Sequence, residues 1–434
     1  MATLLAWLCF APSAGGQDGG IDVFEILREA EPRGVLATII ALEAVEDEVR
    51  GTPEEDLLGD LLATRLAFVH DFEKARRLDS TVYASVRTRG AGDRSLEGYV
   101  PRDAVETILE LAEGRRVVMF NEEHRRSQER AFAHELLAPL VEAGFTHLAL
   151  ETLRTDPAKV EELVQRGHPL TSSGFYTQDP VLGDLVRRAL ALGMQVIGYE
   201  ADVSRFPAEL AREPMGRSKW REEQQGRNLA DVVRDRPEAR LVVWSGRHHM
   251  SELLPSAERQ GLTPMGGFFR HFSGIDPLTV DLMVMKEADA PERERLVYRK
   301  AADDGLVDAP RVFLAEDGTP YSAIAHIDVM VFLPRTRMQA GRPDWMRMGG
   351  LRQDVEVGFA DVDEQPAPGR PLLVEARIEG ESPEAVPLDQ VLWRGGDAPV
   401  LLLRPGLDYT VRLIAPSGEV LAEHGVGLAG EDHR

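Results

Sequence analysis

Four short apolar runs in the middle of the chain each end at, or a few residues before, an acid or a histidine. These runs are Val117–Phe120, His147–Leu150, Val196–Tyr199 and Leu241–Trp244. Segments with helical spacing separate them, near residues 125–142, 180–192 and 219–234. Apolar runs of this length between helical segments predict buried strands of an α/β sheet. Ligands of such sheets bind beyond the carboxyl ends of the strands, so the polar residues that follow the runs are the candidates for chemistry.

The pattern over the whole chain predicts three regions after a Gly-rich joint near residue 17. Residues 21–100 have apolar side chains at helical spacing and predict a helical N-terminal region. Residues 101–285 alternate between strand and helix periods and form the predicted α/β domain. A charge-dense boundary near 286–299 precedes residues 300–434, where short β-type runs between Gly and Pro turns predict a C-terminal β-sandwich-like domain. We therefore expect an α/β fold with a mixed or parallel sheet flanked by helices.

Composition narrows the function classes. The 434 residues include 73 acids and 50 Lys or Arg, a formal net charge of −23. This balance argues against nucleic acid or an anionic membrane surface as the main partner, because both bind basic faces. Cys9 is the single cysteine, which excludes an internal disulfide and a cysteine-based zinc site.

The N-terminal segment resembles a secretory signal. Residues 1–17 contain a short apolar core, Leu4–Ala11, followed by small residues, but no basic residue precedes that core. If the segment is a signal, the protein is periplasmic or secreted, and otherwise it is cytoplasmic. No other segment approaches the apolar length that spans a bilayer.

The first run leads into a cluster of titratable residues that contains Glu122 and His124. We expect a helix to begin near His124, where the positive end of the helix dipole and the neighbouring arginines favour a neutral imidazole. A neutral imidazole accepts a proton from water or binds a metal. The alternative is a cluster of acids that only offsets the helix dipole.

Later runs repeat the arrangement. Glu151 and Glu200 each come directly at a strand end, and either can orient a histidine or a water, or cap the next turn. His248 and His249 follow the fourth run after Gly246, whose small size lets the backbone turn sharply.

Other candidates lie on a helix and a loop. Arg221, Gln225 and Asn228 are spaced as one polar stripe on a helix, and such an arginine can bind a carboxylate or an oxyanion. A solvated helix face is the alternative. Tyr176, in an aromatic loop, is a candidate pocket wall.

At these residues the chain resembles the Tiki/ChaN/erythromycin-esterase-like superfamily, a family with a haem-binding uptake branch. Its Gly-Glu-x-His element is similar to the segment 121–124, with Asn121 in place of glycine, and its Gly-x-x-His element is similar to 246–249. The resemblance covers roughly residues 116–281. It implies site roles for Glu122, His124, Glu151, Arg221 and His249, the last three matching the family's strand-end Glu, helix Arg and final His.

The residues and the resemblance together leave three hypotheses open. The first is hydrolysis of an ester, lactone or amide in a small-molecule or peptide substrate by a water that His and Glu activate, with or without a divalent metal. In the metal variant, the ligands are Glu122, His124, Glu151 and His249. The second is a haem- or metal-binding protein without turnover, with His124, His249 or Tyr176 as ligands. The third is a non-catalytic scaffold whose terminal regions bind a partner.

Overall fold

The computed structural model describes residues 21–78, 94–153, 155–256, 261–359, 362, 365–367 and 369–430. The predicted signal segment, residues 1–17, lies outside these ranges. Within them, no helix is long and apolar enough to cross a membrane. The helices are α1 (Val23–Ala30), α2 (Val35–Glu43), α3 (Glu46–Val49), α4 (Glu55–Phe68), α5 (Ala104–Leu111), α6 (Gln128–Glu142), α7 (Pro157–Arg166), α8 (Pro180–Ala191), α9 (Gly216–Asp235), α10 (Met265–Ser273) and α11 (Leu296–Asp303).

An eight-stranded mixed sheet forms the centre of the α/β fold, as the sequence predicts. Its strands are β1 (Tyr99–Asp103), β2 (Val117–Glu122), β3 (His147–Leu150), β4 (Gln195–Gly198), β5 (Leu241–Gly246), β6 (Leu278–Asp281), β7 (Arg311–Ala315) and β8 (Val329–Phe332). Their order is β1-β7-β8-β6-β2-β5-β3-β4. The six strands from β8 to β4 run parallel, whereas β7 and β1 pair antiparallel. All residues of β2 and β5 are buried, because helices cover both faces of the sheet.

The sheet extends past the boundary that the charge density predicts near residues 286–299. Strand β8 pairs with β6, and β7 pairs with β8 and β1. The dense run of charges here forms a loop and the start of a helix, with Lys286, Glu287 and Glu294 buried. It does not mark the end of the hydrogen-bonded sheet. A deletion after Lys286 therefore removes two strands of the central sheet along with everything that follows them.

The C-terminal strands form separate antiparallel sheets. They are β9 (Met338–Gln339), β10 (Arg342–Pro343), β11 (Gln353–Glu356), β12 (Leu372–Ile378), β13 (Asp389–Trp393), β14 (Val400–Leu403), β15 (Asp408–Ile414) and β16 (Val420–Gly427). Strands β13-β12-β15-β16 form one sheet and β11-β14 another. Apolar side chains of both sheets share one core, which is the sandwich-like packing predicted from the turn pattern.

The N-terminal helices pack on the other face of the four-stranded sheet. Along β12, Leu372 and Val374 enter the sandwich core, whereas Leu373 joins the core of α1, α2 and α4. This division follows from the alternation of side chains along a strand. The helices α1, α2 and α4 and the four-stranded sheet thus form one packed unit.

Candidate functional site

The carboxyl ends of four neighbouring strands bring the candidate residues to one edge of the sheet. Strands β2, β5, β3 and β4 are adjacent and parallel. Glu122 ends β2, Glu151 follows β3, and Glu200 comes two residues after β4. Segments far apart in sequence therefore meet because parallel strands end at a common edge.

Glu122 and His124 form a hydrogen-bonded pair. The imidazole Nδ1 of His124 lies 3.0 Å from Glu122 Oε1. Arg130 binds both oxygens of the carboxylate, and the indole Nε1 of Trp244 donates to Oε2 at 2.5 Å. Burial alone raises the pKa of Glu122, but the charge of Arg130 and the hydrogen bonds from Arg130 and His124 lower that pKa to about 2. The ionised carboxylate accepts the Nδ1 proton, so Nε2 is the ring nitrogen that can accept a further proton.

The predicted helix start at His124 needs correction. Helix α6 begins at Gln128 with Ser127 as its N-cap residue, and His124 lies in the turn before it. Because the effect of a helix dipole fades within about one turn, the dipole does not explain a neutral His124. The carboxylate of Glu122 fixes the tautomer instead.

Tyr176 fixes the orientation of the His124 ring. The two rings are stacked, with centroids 3.8 Å apart and planes inclined by 14°. Tyr176 opens a short 3-10 helix, Tyr176–Gln178, and the guanidinium of Arg130 lies 6.0 Å from its ring centroid. Burial raises the pKa of the phenol, so the ring stays neutral. Tyr176 thus lies directly against His124, and its predicted role as a pocket wall stays a prediction.

Gly246 allows the two halves of the site to approach each other. A Cβ atom on this residue would lie 2.3 Å from His124 Nε2 and 3.3 Å from Glu151 Oε2. The backbone N–H of Gly246 also donates to Glu151 Oε2 at 2.6 Å. A side chain at this position would displace the imidazole. Glycine is therefore needed because of this close contact, and not because the backbone has a φ that only glycine adopts readily.

A second cluster surrounds Arg221. Its Nε lies 2.9 Å from Glu200 Oε1, and its terminal nitrogens bind Glu151 and Glu200. His249 places Nδ1 2.5 Å from Glu222 Oε1 and Nε2 3.7 Å from Glu151 Oε1. Burial lowers the pKa of His249, but the carboxylates of Glu222 and Glu151 more than offset this and raise it. The same arrangement lowers the pKa of Glu151 against its burial.

The remaining predicted residues have supporting positions. Gln225 is buried and donates to Glu200 Oε2 at 3.1 Å. Asn228 donates to the backbone carbonyls of Tyr199 and Glu200 at 3.0 and 3.2 Å. Gln225 and Asn228 therefore hold the strand end that binds Arg221. His248 is exposed, in contrast to the enclosed His249.

The more exposed side chains at the centre of the site are two imidazoles and a guanidinium. The side chains of His124, Arg221 and His249 are 15%, 17% and 19% exposed. The carboxylates below them, Glu122 and Glu151, are only 3% and 5% exposed. A substrate at this edge would meet one imidazole with an open lone pair and two positively charged donors, the combination used by a general base with oxyanion stabilisers.

The donor set does not fit a divalent metal. Both oxygens of Glu122 are engaged by Arg130 and Trp244, and those of Glu151 by Arg221 and Gly246. A guanidinium on each carboxylate repels a cation from the four predicted ligands. In the part of the chain that the structure describes, no three His, Cys, Asp or Glu side chains are arranged to hold a metal ion.

The predicted haem ligands do not fit a porphyrin between them. The rings of His124 and Tyr176 are in direct stacking contact, so no haem plane lies between these two side chains. His249, the third predicted ligand, has its Nδ1 bound to Glu222, and its remaining ring nitrogen, Nε2, lies 3.5 Å from the guanidinium Nη1 of Arg221, where a haem iron would have to approach.

Three partners of the site were not predicted from the sequence: Arg130, Glu222 and Trp244. Arg130 lies on the first turn of α6, eight residues after Glu122, and its direction depends on how the helix docks. Glu222 follows Arg221 directly, and its place beside His249 depends on how α9 packs against α10, since Met265 N at the start of α10 donates to Glu222 Oε2 at 2.7 Å. For Glu222, the sequence offered one signal, its position directly after the predicted functional residue Arg221.

Comparisons with known proteins add structural neighbours alone. Comparison with protein families found no match, and neither did comparison with curated proteins. A solved structure described as bacterial protein toxins is 15% identical with a TM-score of 0.32, and the match covers 60% of this chain and 63% of that one. The type III effector HopBA1 is 16% identical with a TM-score of 0.33, covering 57% of this chain and 99% of that one.

A third neighbour is RRSP, an effector domain of a MARTX toxin from Vibrio vulnificus CMCP6. It is 15% identical with a TM-score of 0.31, and the match covers 62% of this chain and 66% of that one. The chain thus spans less than two thirds of the length of the first and third structures. Similarity at this level carries no conclusion about activity.

Proposed function

We propose that the protein is a hydrolase that cleaves an ester, lactone or amide bond with a water activated by His124. The observation that carries the proposal is the Glu122–His124 pair, in which Nδ1 is bound to an ionised carboxylate while Nε2 lies beside Gly246. A carboxylate behind an imidazole fixes the tautomer and stabilises the imidazolium that forms during proton transfer.

The remaining groups have assigned roles in this reaction. His124 Nε2 removes a proton from water as the water oxygen attacks the carbonyl carbon of the substrate. The carbonyl oxygen becomes an oxyanion, which receives hydrogen bonds from Arg221 and from protonated His249. The intermediate then collapses, the bond to the leaving group breaks, and His124 returns the proton to the departing alcohol or amine.

The resemblance to the Tiki/ChaN/erythromycin-esterase-like superfamily agrees with this assignment, and we propose membership on the same residues. Ester hydrolysis by a water that His and Glu activate is one of the activities that the resemblance implies. The metal-assisted variant is not carried forward, because guanidinium groups already engage both carboxylates.

The test is hydrolysis of a panel of ester, lactone and amide substrates by the wild-type protein and two variants. His124→Asn removes the base and is expected to lower the rate by about 10²- to 10⁴-fold. His271→Asn alters an exposed histidine on α10 and serves as the control. Wild-type rates in His124→Asn would overturn the proposal.

A further inference from the structure

A buried series of ion pairs continues from Glu122 to the C-terminal sheet. Arg130, which binds Glu122, also donates from Nη1 to Asp179 Oδ2 at 2.7 Å. Asp179 is the N-cap residue of α8 and accepts from Val181 N at 2.7 Å, so its position is fixed by the helix. On its other side, Asp179 Oδ1 lies 3.9 Å from His70 Nε2.

His70 connects this series of ion pairs to the C-terminal sheet. It follows α4, and its Nδ1 lies 3.1 Å from Asp389 Oδ1 on β13 and 3.1 Å from the Gln390 carbonyl. Arg342 on β10 donates to the same Asp389 oxygen at 2.8 Å. The side chains of His70, Asp179 and Asp389 are 2%, 0% and 0% exposed. Each aspartate also has a guanidinium partner, Arg130 for Asp179 and Arg342 for Asp389. A positive charge on the imidazole between the two carboxylates adds to the stabilisation of both, because no water solvates them there.

Helix α4 also contacts the loops that carry the site. Arg65 lies 5.1 Å from the ring centroid of Phe175, and Phe68 packs edge-on against the same ring at 5.6 Å. Phe175 in turn contacts Tyr176, which is stacked on His124. The N-terminal helices are therefore packed against the loop of Phe175 and Tyr176 as well as against the C-terminal sheet.

We propose that His70, held between Asp179 and Asp389, is a positioning residue for the Glu122–His124 pair. Its imidazolium balances Asp179, which fixes Arg130, and Arg130 sets both the Glu122 carboxylate and the His124 carbonyl, to which it donates at 3.3 Å. The role rests on the proposed function, because it acts through the proposed base. It gives the N-terminal helices and the C-terminal sheet a part in the chemistry of the α/β layer.

Loss of the His70 proton should disturb the pair. Burial lowers the pKa of His70, but the nearby carboxylates of Asp179, at 3.9 Å, and Asp389, at 3.1 Å, more than offset this and raise it. The groups that face the ring are Asp179, Asp389 and Arg342, and the arginine opposes the two acids. Because the folded pKa of His70 is raised, the positive charge between Asp179 and Asp389 is present at low pH. It is lost as pH rises through that pKa.

The experiment is ¹⁵N NMR of histidine-labelled full-length protein, which reads the His124 tautomer without any substrate. In the wild-type protein we expect His124 in the Nδ1–H form, and we expect its signals to shift with the same midpoint as those of His70 when pH is raised. His70→Asn suits the left-handed backbone at this position, where φ is +53°. In His70→Asn we expect both tautomers of His124 to be populated and kcat to fall about tenfold, with little change in KM. This loss is smaller than the loss for a catalytic group that is misplaced by about 1 Å.

A buried histidine that is not part of this series of ion pairs provides the matched control. His134 lies on α6, like Arg130, and its Nε2 is 3.0 Å from the Val181 carbonyl. His134→Asn should lower stability and leave the His124 signals unchanged. Unchanged His124 signals in folded His70→Asn, equal changes in both variants, or separate titration midpoints in the wild-type protein would overturn the proposal. If the wild-type protein hydrolyses no substrate, the NMR result still stands, so the two proposals fail separately.

Discussion

Two buried carboxylates of similar exposure have opposite electrostatic surroundings in this molecule. Glu122 is bound by Arg130, Trp244 and His124, and its pKa falls to about 2. Glu252, in the loop after β5, accepts from Arg270 at 3.0 Å and Thr279 at 3.2 Å. Burial, Asp328 and Asp276 raise the pKa of Glu252 to about 7, and Arg270 only partly opposes this.

The difference shows that cationic partners, and not burial, decide which carboxylate can support a base. Burial raises the pKa of both groups. Only at Glu122 do a guanidinium and an imidazole outweigh it, so only Glu122 carries a full charge at neutral pH. An ionised carboxylate behind an imidazole is what the proposed mechanism needs.

The largest expected effect is on the free energy of unfolding, and it should differ between Glu122 and Glu252. Glu122→Gln leaves the charge of Arg130 partly uncompensated in the interior, so we expect a loss of about 3–5 kcal/mol in the free energy of unfolding. Glu252→Gln replaces an acid that is about half protonated at pH 7, because its pKa is about 7, and should change that free energy by less than about 1 kcal/mol at this pH. Urea unfolding measures both, with exposed Glu161→Gln on α7 as the reference. Equal losses at Glu122 and Glu252 would remove the contrast.

The next effect concerns the contact between the two halves of the site. In Gly246→Ala, the new Cβ would meet His124 Nε2 and Cε1 at 2.3 and 2.4 Å. The partly exposed imidazole can swing away, so we expect about 1 kcal/mol of lost stability but a drop in kcat/KM of about 100-fold. Gly358→Ala, at an exposed position with open space around it, should alter neither. Activity that falls only in proportion to stability would count against this contact.

The pH dependence of stability should differ in sign between the two acids. The folded pKa of Glu252 is above the ordinary value of about 4.5 for this carboxyl, so its contribution to stability is present at low pH and is lost as pH rises from about 4.5 to 7. For Glu122 the folded pKa is lower, and its contribution is lost as pH falls from about 4.5 towards 2. Thermal unfolding of the wild-type protein and Glu252→Gln between pH 4 and 8 measures the first phase. A constant difference between the two curves would contradict the raised pKa.

The smallest effect is expected at the support of Arg221. Asn228→Ala removes two hydrogen bonds to the carbonyls of Tyr199 and Glu200. We expect a loss of about 1 kcal/mol in stability and a severalfold lower kcat/KM, because Arg221 would be less firmly oriented. Urea unfolding and steady-state kinetics measure the two quantities. A loss of activity as large as that of Gly246→Ala would mean that Asn228 contacts the substrate.

Much of the α/β layer could be predicted from the sequence because parallel strands that are largely or fully buried leave a strong local signal. The runs at β2, β3, β4 and β5 are continuous and apolar, and the acids at their ends are read directly. Strand β7 was not assigned to the sheet, because its place depends on antiparallel pairing with β1 more than 200 residues earlier.

The partners of the site residues were harder to predict for the same reason. Arg130 and Asp179 reach Glu122 and His70 only after two helices dock on the sheet. The N-terminal helices gave a strong periodic pattern that packing alone explains, and their contact with the site through Arg65 and Phe68 has no signature in sequence spacing.

The central claim is that His124 and His249, from β2 and β5, act on one bound substrate. A double-mutant cycle in kcat/KM with His124→Ala and His249→Ala tests it most directly, with His124→Ala and His271→Ala as the reference cycle. Residues that act as a unit are strongly non-additive, so the double variant should fall less than about tenfold below His124→Ala alone. Effects that multiply in full, as in the reference cycle, would contradict a shared site.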